Sequence, residues 1–306
     1  MKLYAVITLF LSLVMFFFPF LSVSRVFSEK STDKKQIDSV VISDSEGKKE
    51  EEIELFDYIV GTVAAEMPAS FEYEAIKAQA VASYTYQKYL RENGTEVISD
   101  SSIHQEYKSD SELKELWGED YEIYKEKIVS AVQSVYGEYL TYDGKTIPAL
   151  YHAISPGSTE SAEVIFGRKV PCLTGVTAPG DKLSPKYSEK VSFNMKEVKD
   201  ILKKQNIDTT EINGSIIVIT EKTESGYPSE IKIGTQKFNG NEVRNMFDLK
   251  SPYFEVEEKE ENITFTVYGR GHGVGMSQYS ADYMARQGFS YEDILLHFYS
   301  GAKITK

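Results

Sequence analysis

Residues 66–86 read EMPASFEYEAIKAQAVASYTY. A proline at 68 disfavours helix in the residue before it, so a helix arriving at Glu66 has to stop there. Before it, Phe56, Ile59, Val60, Val63 and Ala64 recur at helical spacing and define that first helix. After it, Ser70 is a candidate N-cap, and the alanine-rich run AIKAQAVAS fits a second helix over Glu72–Leu90 that packs closely against another. Asn93-Gly94 closes it, and apolar residues from Leu116 to Val135 give a third helix, Leu113–Tyr136.

Past that point the texture changes. YLTYDGKTIPALYHAI, residues 139–154, carries Asp143-Gly144 between apolar runs, a hairpin signal. Further strands are expected at Gly214–Thr220, Glu230–Gly234 and Ile263–Val267, and helices at Met195–Lys204, Ser280–Gln287 and Tyr291–Tyr299. A helical segment followed by a mainly β region with interspersed helices reads as α+β.

In the other direction, Ser28–Glu51 is SEKSTDKKQIDSVVISDSEGKKEE, polar and charged, with IDSVVI able to form an edge strand. Before it, Leu3–Val23 holds no charge, a length that can span a bilayer, with Lys2 ahead and Arg25 behind. The expected organisation is a transmembrane anchor over 1–24, a polar tether over 25–51 and a folded domain over 52–306. The anchor would be single-pass in the cell membrane with the domain outside the cytoplasm. A cleaved signal peptide is the alternative, although no A-x-A site follows.

Composition excludes some functions. A net charge of −13 and a single cysteine, Cys172, argue against nucleic acid as a partner and rule out an internal disulfide. The four histidines, His104, His152, His272 and His297, show no metal-ligand spacing. No G-x-S-x-G elbow occurs. Glu66 stands in VAAEMP, an apolar context at a helix end, where lost hydration raises a carboxyl pKa and suits a general acid. A carboxylate that only hydrogen-bonds its own helix end is the plainer reading. Gly269, Gly271, Gly273 and Gly275 alternate in GRGHGVGMSQYSA, residues 269–281. The spacing is wrong for a dinucleotide loop, and close backbone packing is the alternative to a binding role.

Four segments together carry a resemblance: EMPASFEYEAIKAQAVASYTY, YHAISPGSTESAEVIFG (151–167), FNGNEVRNMFDLKSPYF (238–254) and GRGHGVGMSQYSA. In order and spacing they resemble the stage II sporulation protein D family, whose domain also occurs in amidase enhancers. The resemblance implies a lytic transglycosylase that cuts peptidoglycan glycan strands during engulfment in sporulation and leaves 1,6-anhydro-muramyl ends. It makes Glu66 the catalytic acid/base and puts Lys77 near the glycan. Gln79, Tyr84, Ser155, Thr159, His272 and Gln278 are the further binding candidates. It implies no cofactor and, as partners, a cell-wall amidase and a multi-spanning membrane protein. A non-catalytic enhancer of an amidase is the competing reading. The chain departs from the pattern at Tyr84, where an Arg is usual, at Pro156 in the usual S-G-G-x-T, and at Ser280, where Gly is common. Relatives with a metal site pair a cysteine with the histidine of H-Q-x-Y. His104 is present here but Cys172 lies far along the chain, so no zinc is expected.

Overall fold

The structure, a computed structural model, describes residues 39–43, 50–95, 97–99, 105–207, 214–259 and 261–306. They fall in a unit that runs from Ser39 to Lys306. Ser39–Ser43 (β1) pairs antiparallel with Glu50–Glu54 (β2) and parallel with Val97–Ser99 (β3). The strand expected at an edge is therefore the central one of a small sheet. It lies inside the stretch read as a tether, with Val40 buried against the helices.

Leu55–Glu66 (α1) ends where Pro68 requires, with Met67 extended and its N–H on the Val63 carbonyl. Tyr73–Glu92 (α2) follows. Ser70 does not cap it: the N-cap is Glu72, whose side chain makes no capping bond. Instead the Glu72 N–H donates to Asp282 Oδ1 at 2.7 Å, from a helix far along the chain. Asp282 also holds Arg286 at 2.6 Å. Asp282→Ala is expected to lower stability by about 1–2 kcal/mol through the orphaned helix-start donor. Urea titration of the variant checks this, and an unchanged midpoint would contradict it.

The third helix is in fact two, Asp110–Trp117 (α3) and Tyr121–Val135 (α4). Gly118, with φ 52° and ψ −121°, breaks the run. The small side chains of α2, among them Ala75, Ala78 and Ala82, are buried where it packs against α1 and α4. Tyr139–Tyr142 (β4) and Lys145–Thr146 (β5) form the expected hairpin through Asp143 and Gly144, at φ 48° and 75°. Tyr151–His152 (β6) and Ala162–Phe166 (α5) come next, neither of them evident from periodicity.

Residues 188–268 build a second hydrophobic cluster. It is made of Ser188–Asn194 (β7), Met195–Lys204 (α6), Ile217–Lys222 (β8), Pro228–Ile233 (β9), Gln236–Phe238 (β10), Gly240–Phe247 (α7), Phe254–Lys259 (β11) and Asn262–Tyr268 (β12). The strands form two antiparallel three-stranded sheets, β11-β12-β7 and β10-β9-β8. Phe193, Phe254 and Phe265 of the first sheet and Phe247 of α7 meet edge to face. The chain then returns to the first cluster through Met276–Ser277 (β13), Gln278–Arg286 (α8) and Tyr291–Phe298 (α9), and Lys303–Thr305 (β14) closes on β4.

The α+β expectation stands, but the membrane-spanning part of it is overturned. Among the described residues no helix is long and apolar enough to cross a membrane. At 20 residues α2 has the length, yet it carries Glu74, Lys77, Lys88, Arg91 and Glu92, and charges at membrane depth are costly. The single-pass placement in the cell membrane therefore has no support in the fold. The segment Leu3–Val23, on which it rested, lies outside the described residues.

Candidate active site

The Gly-rich segment lies against the 151–160 strand and loop. β13 pairs parallel with β6, and bridges join Ile154 to Arg270 and Glu160 to Val274. At Gly275, φ is 71° and a Cβ would sit 2.0 Å from the Leu150 carbonyl oxygen, so only glycine allows the two chains to lie this close. One buried carboxylate locks the same junction. Asp181 accepts from the Ser155 N–H at 2.6 Å, from Ser277 Oγ at 2.8 and 2.9 Å, and from Ser280 Oγ at 2.7 Å. Burial raises its pKa against the lowering effect of these bonds.

This packing brings the end of α1, the α2 face, β6 and the start of α8 around a cleft of about 970 Å³. Glu66 lines it. Its Oε1 accepts from the Glu106 N–H at 2.9 Å, and its carboxyl also meets the Tyr151 hydroxyl and the Gln278 amide. Burial raises its pKa above the ordinary 4.5, outweighing the backbone bond that lowers it. Glu106, the other carboxylate lining the cleft, pairs with Lys108 at 2.9 Å.

Behind Glu66 the polar groups form chains. Tyr151 Oη donates to Gln105 Oε1 at 2.9 Å, and Gln105 Nε2 donates to the Ser83 carbonyl at 3.4 Å. The Tyr151 hydroxyl and the Gln278 amide lower the Glu66 pKa, as the backbone bond does, and burial outweighs all three. On the other side, Gln278 Nε2 donates to Gln79 Oε1 at 3.2 Å, and Gln79 Nε2 to Ser83 Oγ at 3.1 Å.

Of the candidates, Glu66, Gln79 and Gln278 are thus brought together, with Gln79 buried behind the cleft wall. His272 also lines the cleft. Its Nδ1 accepts from the Val274 N–H at 3.1 Å, and its other nitrogen bonds the Tyr151 backbone. The remaining candidates lie elsewhere. Helical geometry separates successive residues by about 100°, so Gln79, Ser83 and Tyr86 share one face of α2 while Lys77 and Tyr84 sit about 150° away. Lys77 pairs with Glu74 at 3.0 Å and lies 4.1 Å from the Tyr291 ring centre. Tyr84 packs edge-on against Tyr136 at 5.5 Å. Ser155 and Thr159 are fully buried, Ser155 on Asp181 and Thr159 with its hydroxyl accepting from the Val176 N–H at 2.9 Å.

Residues the sequence reading did not single out complete the cleft: Tyr86, Tyr89, Gln105, Tyr151, His152 and, from α7, Asn241 and Arg244. Tyr151–His152 and Asn241–Arg244 stand inside two of the four quoted segments, which was their available signal. Burial lowers both cleft imidazoles, His152 to about 4 and His272 to about 3, so both are neutral at pH 7. Among the described residues no group of three or more His, Cys, Asp or Glu side chains could hold a metal ion, and His104 lies outside them.

Residues 43–142 match the family described as Stage II sporulation protein. The chain is 38% identical over 263 residues to stage II sporulation protein D of Bacillus amyloliquefaciens, covering 84% of this chain and 75% of the relative. It is 37% identical over 265 residues to the protein of the same name in Bacillus subtilis (strain 168), covering 84% and 76%. An amidase enhancer of Bacillus subtilis (strain 168) is 28% identical over 295 residues, 80% of this chain and 40% of that protein. The chain belongs to the stage II sporulation protein D family.

Proposed function

We propose that this protein acts in sporulation as a lytic transglycosylase that cleaves peptidoglycan glycan strands, with Glu66 as both acid and base. The observation that carries the reading is the state of Glu66: a carboxyl lining the cleft whose burial raises its pKa against the hydrogen bonds that lower it. Glu66 gives its proton to the glycosidic oxygen as the C1–O bond breaks. The 6-hydroxyl of the same muramyl residue then attacks C1 and returns a proton to Glu66. Atoms balance without water, so no second carboxylate is needed, unlike ordinary glycosidases. This fits a cleft whose other carboxylate, Glu106, is held by Lys108.

Mass analysis of products from purified glycan strands tests the reading, and 1,6-anhydro-muramyl ends are expected. The rate should fall as pH rises through the raised Glu66 pKa, because only the protonated carboxyl can start the reaction. Reducing muramyl ends in place of anhydro ends would sink the assignment.

A second reading is supported by the 28% identical amidase enhancer. In it the cleft binds glycan and stimulates an amidase without cutting. Stimulation of a cell-wall amidase by a preparation that yields no anhydro ends would favour it.

A further inference from the structure

Two buried acceptors belong to cleft-lining residues outside the Glu66 network. His152 is 4% exposed, and its Nδ1 lies 3.1 Å from the Val274 carbonyl. A carbonyl only accepts, so Nδ1 carries the proton and Nε2 is left as a bare acceptor. Among the described residues His152 Nε2 has no hydrogen-bond partner, and neither has Asn241 Oδ1. Both residues line the cleft. Buried polar atoms are normally satisfied, and a pair without partners in one cleft wall marks a place built for a ligand that supplies donors.

The charges nearby narrow the ligand. Arg244 and Arg168 line the cleft, and the Arg244 charge reaches both cleft imidazoles. An ammonium group there would be desolvated beside the Arg244 guanidinium. A neutral amide offers an N–H to the imidazole and a carbonyl oxygen to the cation without that penalty. We propose that His152 Nε2 and Asn241 form a subsite for the 2-acetamido group of an N-acetylated amino sugar, and that this subsite rejects the de-N-acetylated sugar. Asn241 would turn its amide to suit the group it meets.

This assignment rests on the cleft being a glycan site, and binding tests it apart from cleavage. Full-length Glu66→Gln protein is titrated calorimetrically with the N-acetylglucosamine tetramer and with the glucosamine tetramer at pH 6. The acetylated oligomer should bind about tenfold or more tightly. Adding His152→Phe should weaken it about tenfold, as expected for one lost hydrogen bond to a buried group. His152→Gln, which can place an oxygen near the lost nitrogen, should recover most of this. The glucosamine tetramer should respond to neither change. Equal binding of the two oligomers, or an equal loss for both in His152→Phe, would overturn the proposal, as would no binding of either. Should His152→Phe fail to fold, the comparison of the two oligomers decides alone. Selective binding together with strands that yield no anhydro ends would leave this inference standing and remove the lytic reading instead.

Discussion

Glu66→Gln is expected to abolish strand cleavage while the fold survives. The amide matches the carboxyl in volume, and its oxygen can still accept from the Glu106 N–H, now held at 2.9 Å. It cannot deliver a proton, so the leaving oxygen would depart as an alkoxide. Losing general acid catalysis costs about 10²- to 10⁴-fold in rate, and in the proposed mechanism the same group is also the base. Stability should move the other way. The folded pKa of Glu66 lies above the ordinary 4.5, so the folded chain binds the proton more tightly than the unfolded one. That favourable contribution is complete below the unfolded value and is lost as pH rises through the folded value. Gln does not titrate. The variant should therefore melt at or above the wild-type temperature at pH 7, with the difference shrinking towards pH 4.5. Release of anhydro products at a near wild-type rate would show that Glu66 is not the acid. A variant that melts well below wild type at pH 7 would show that the carboxylate is structural.

Asp181→Ala should do the reverse, damaging the fold first. No cation pairs with Asp181 among the hydrogen bonds and ion pairs described, and it is fully buried. It serves as the common acceptor for the 153–160 loop and the Gly-rich segment. Ser280 Oγ has a second acceptor in the Pro179 carbonyl at 2.8 Å, but the Ser155 N–H and the Ser277 hydroxyl would be orphaned. Each orphaned buried donor costs about 1–3 kcal/mol, so a loss of about 2–6 kcal/mol is expected from urea unfolding. Asp181→Asn keeps one oxygen for Ser155, and the hydroxyl of Ser277 can turn to accept, so it should cost clearly less. Oligosaccharide binding should fall with the Ala variant even in the folded fraction, because Gln278 and His272 are set by the same junction. Equal stability of the Ala variant and wild type would mean that glycine packing alone holds the two segments.

Much of the local chain was legible. Helix boundaries at Pro68, at Met195–Lys204 and near Tyr291 follow from proline geometry, capping residues and period, and the hairpin follows from Asp143-Gly144. Boundaries set by distant partners were not legible. The start of α2 depends on Asp282, more than two hundred residues later, and not on Ser70. The break at Gly118 was hidden because apolar spacing continues on both sides of it.

For the site, the sequence by itself determined where Glu66 stands. An apolar run that must stop before a proline leaves Glu66 at a helix end with little water around it, and burial does raise its pKa. It also marked the Gly-rich segment as a place of close approach, which Gly275 bears out. Only the tertiary structure decided which polar side chains reach Glu66. Lys77 and Gln79 are two positions apart and look equally eligible in the sequence, yet helical rotation sends one to Glu74 and Tyr291 and the other to Gln278. Tyr151, His152, Asn241 and Arg244 come from segments that meet only when the second cluster folds back onto the first. Their roles depend on long-range packing, which local periodicity does not encode.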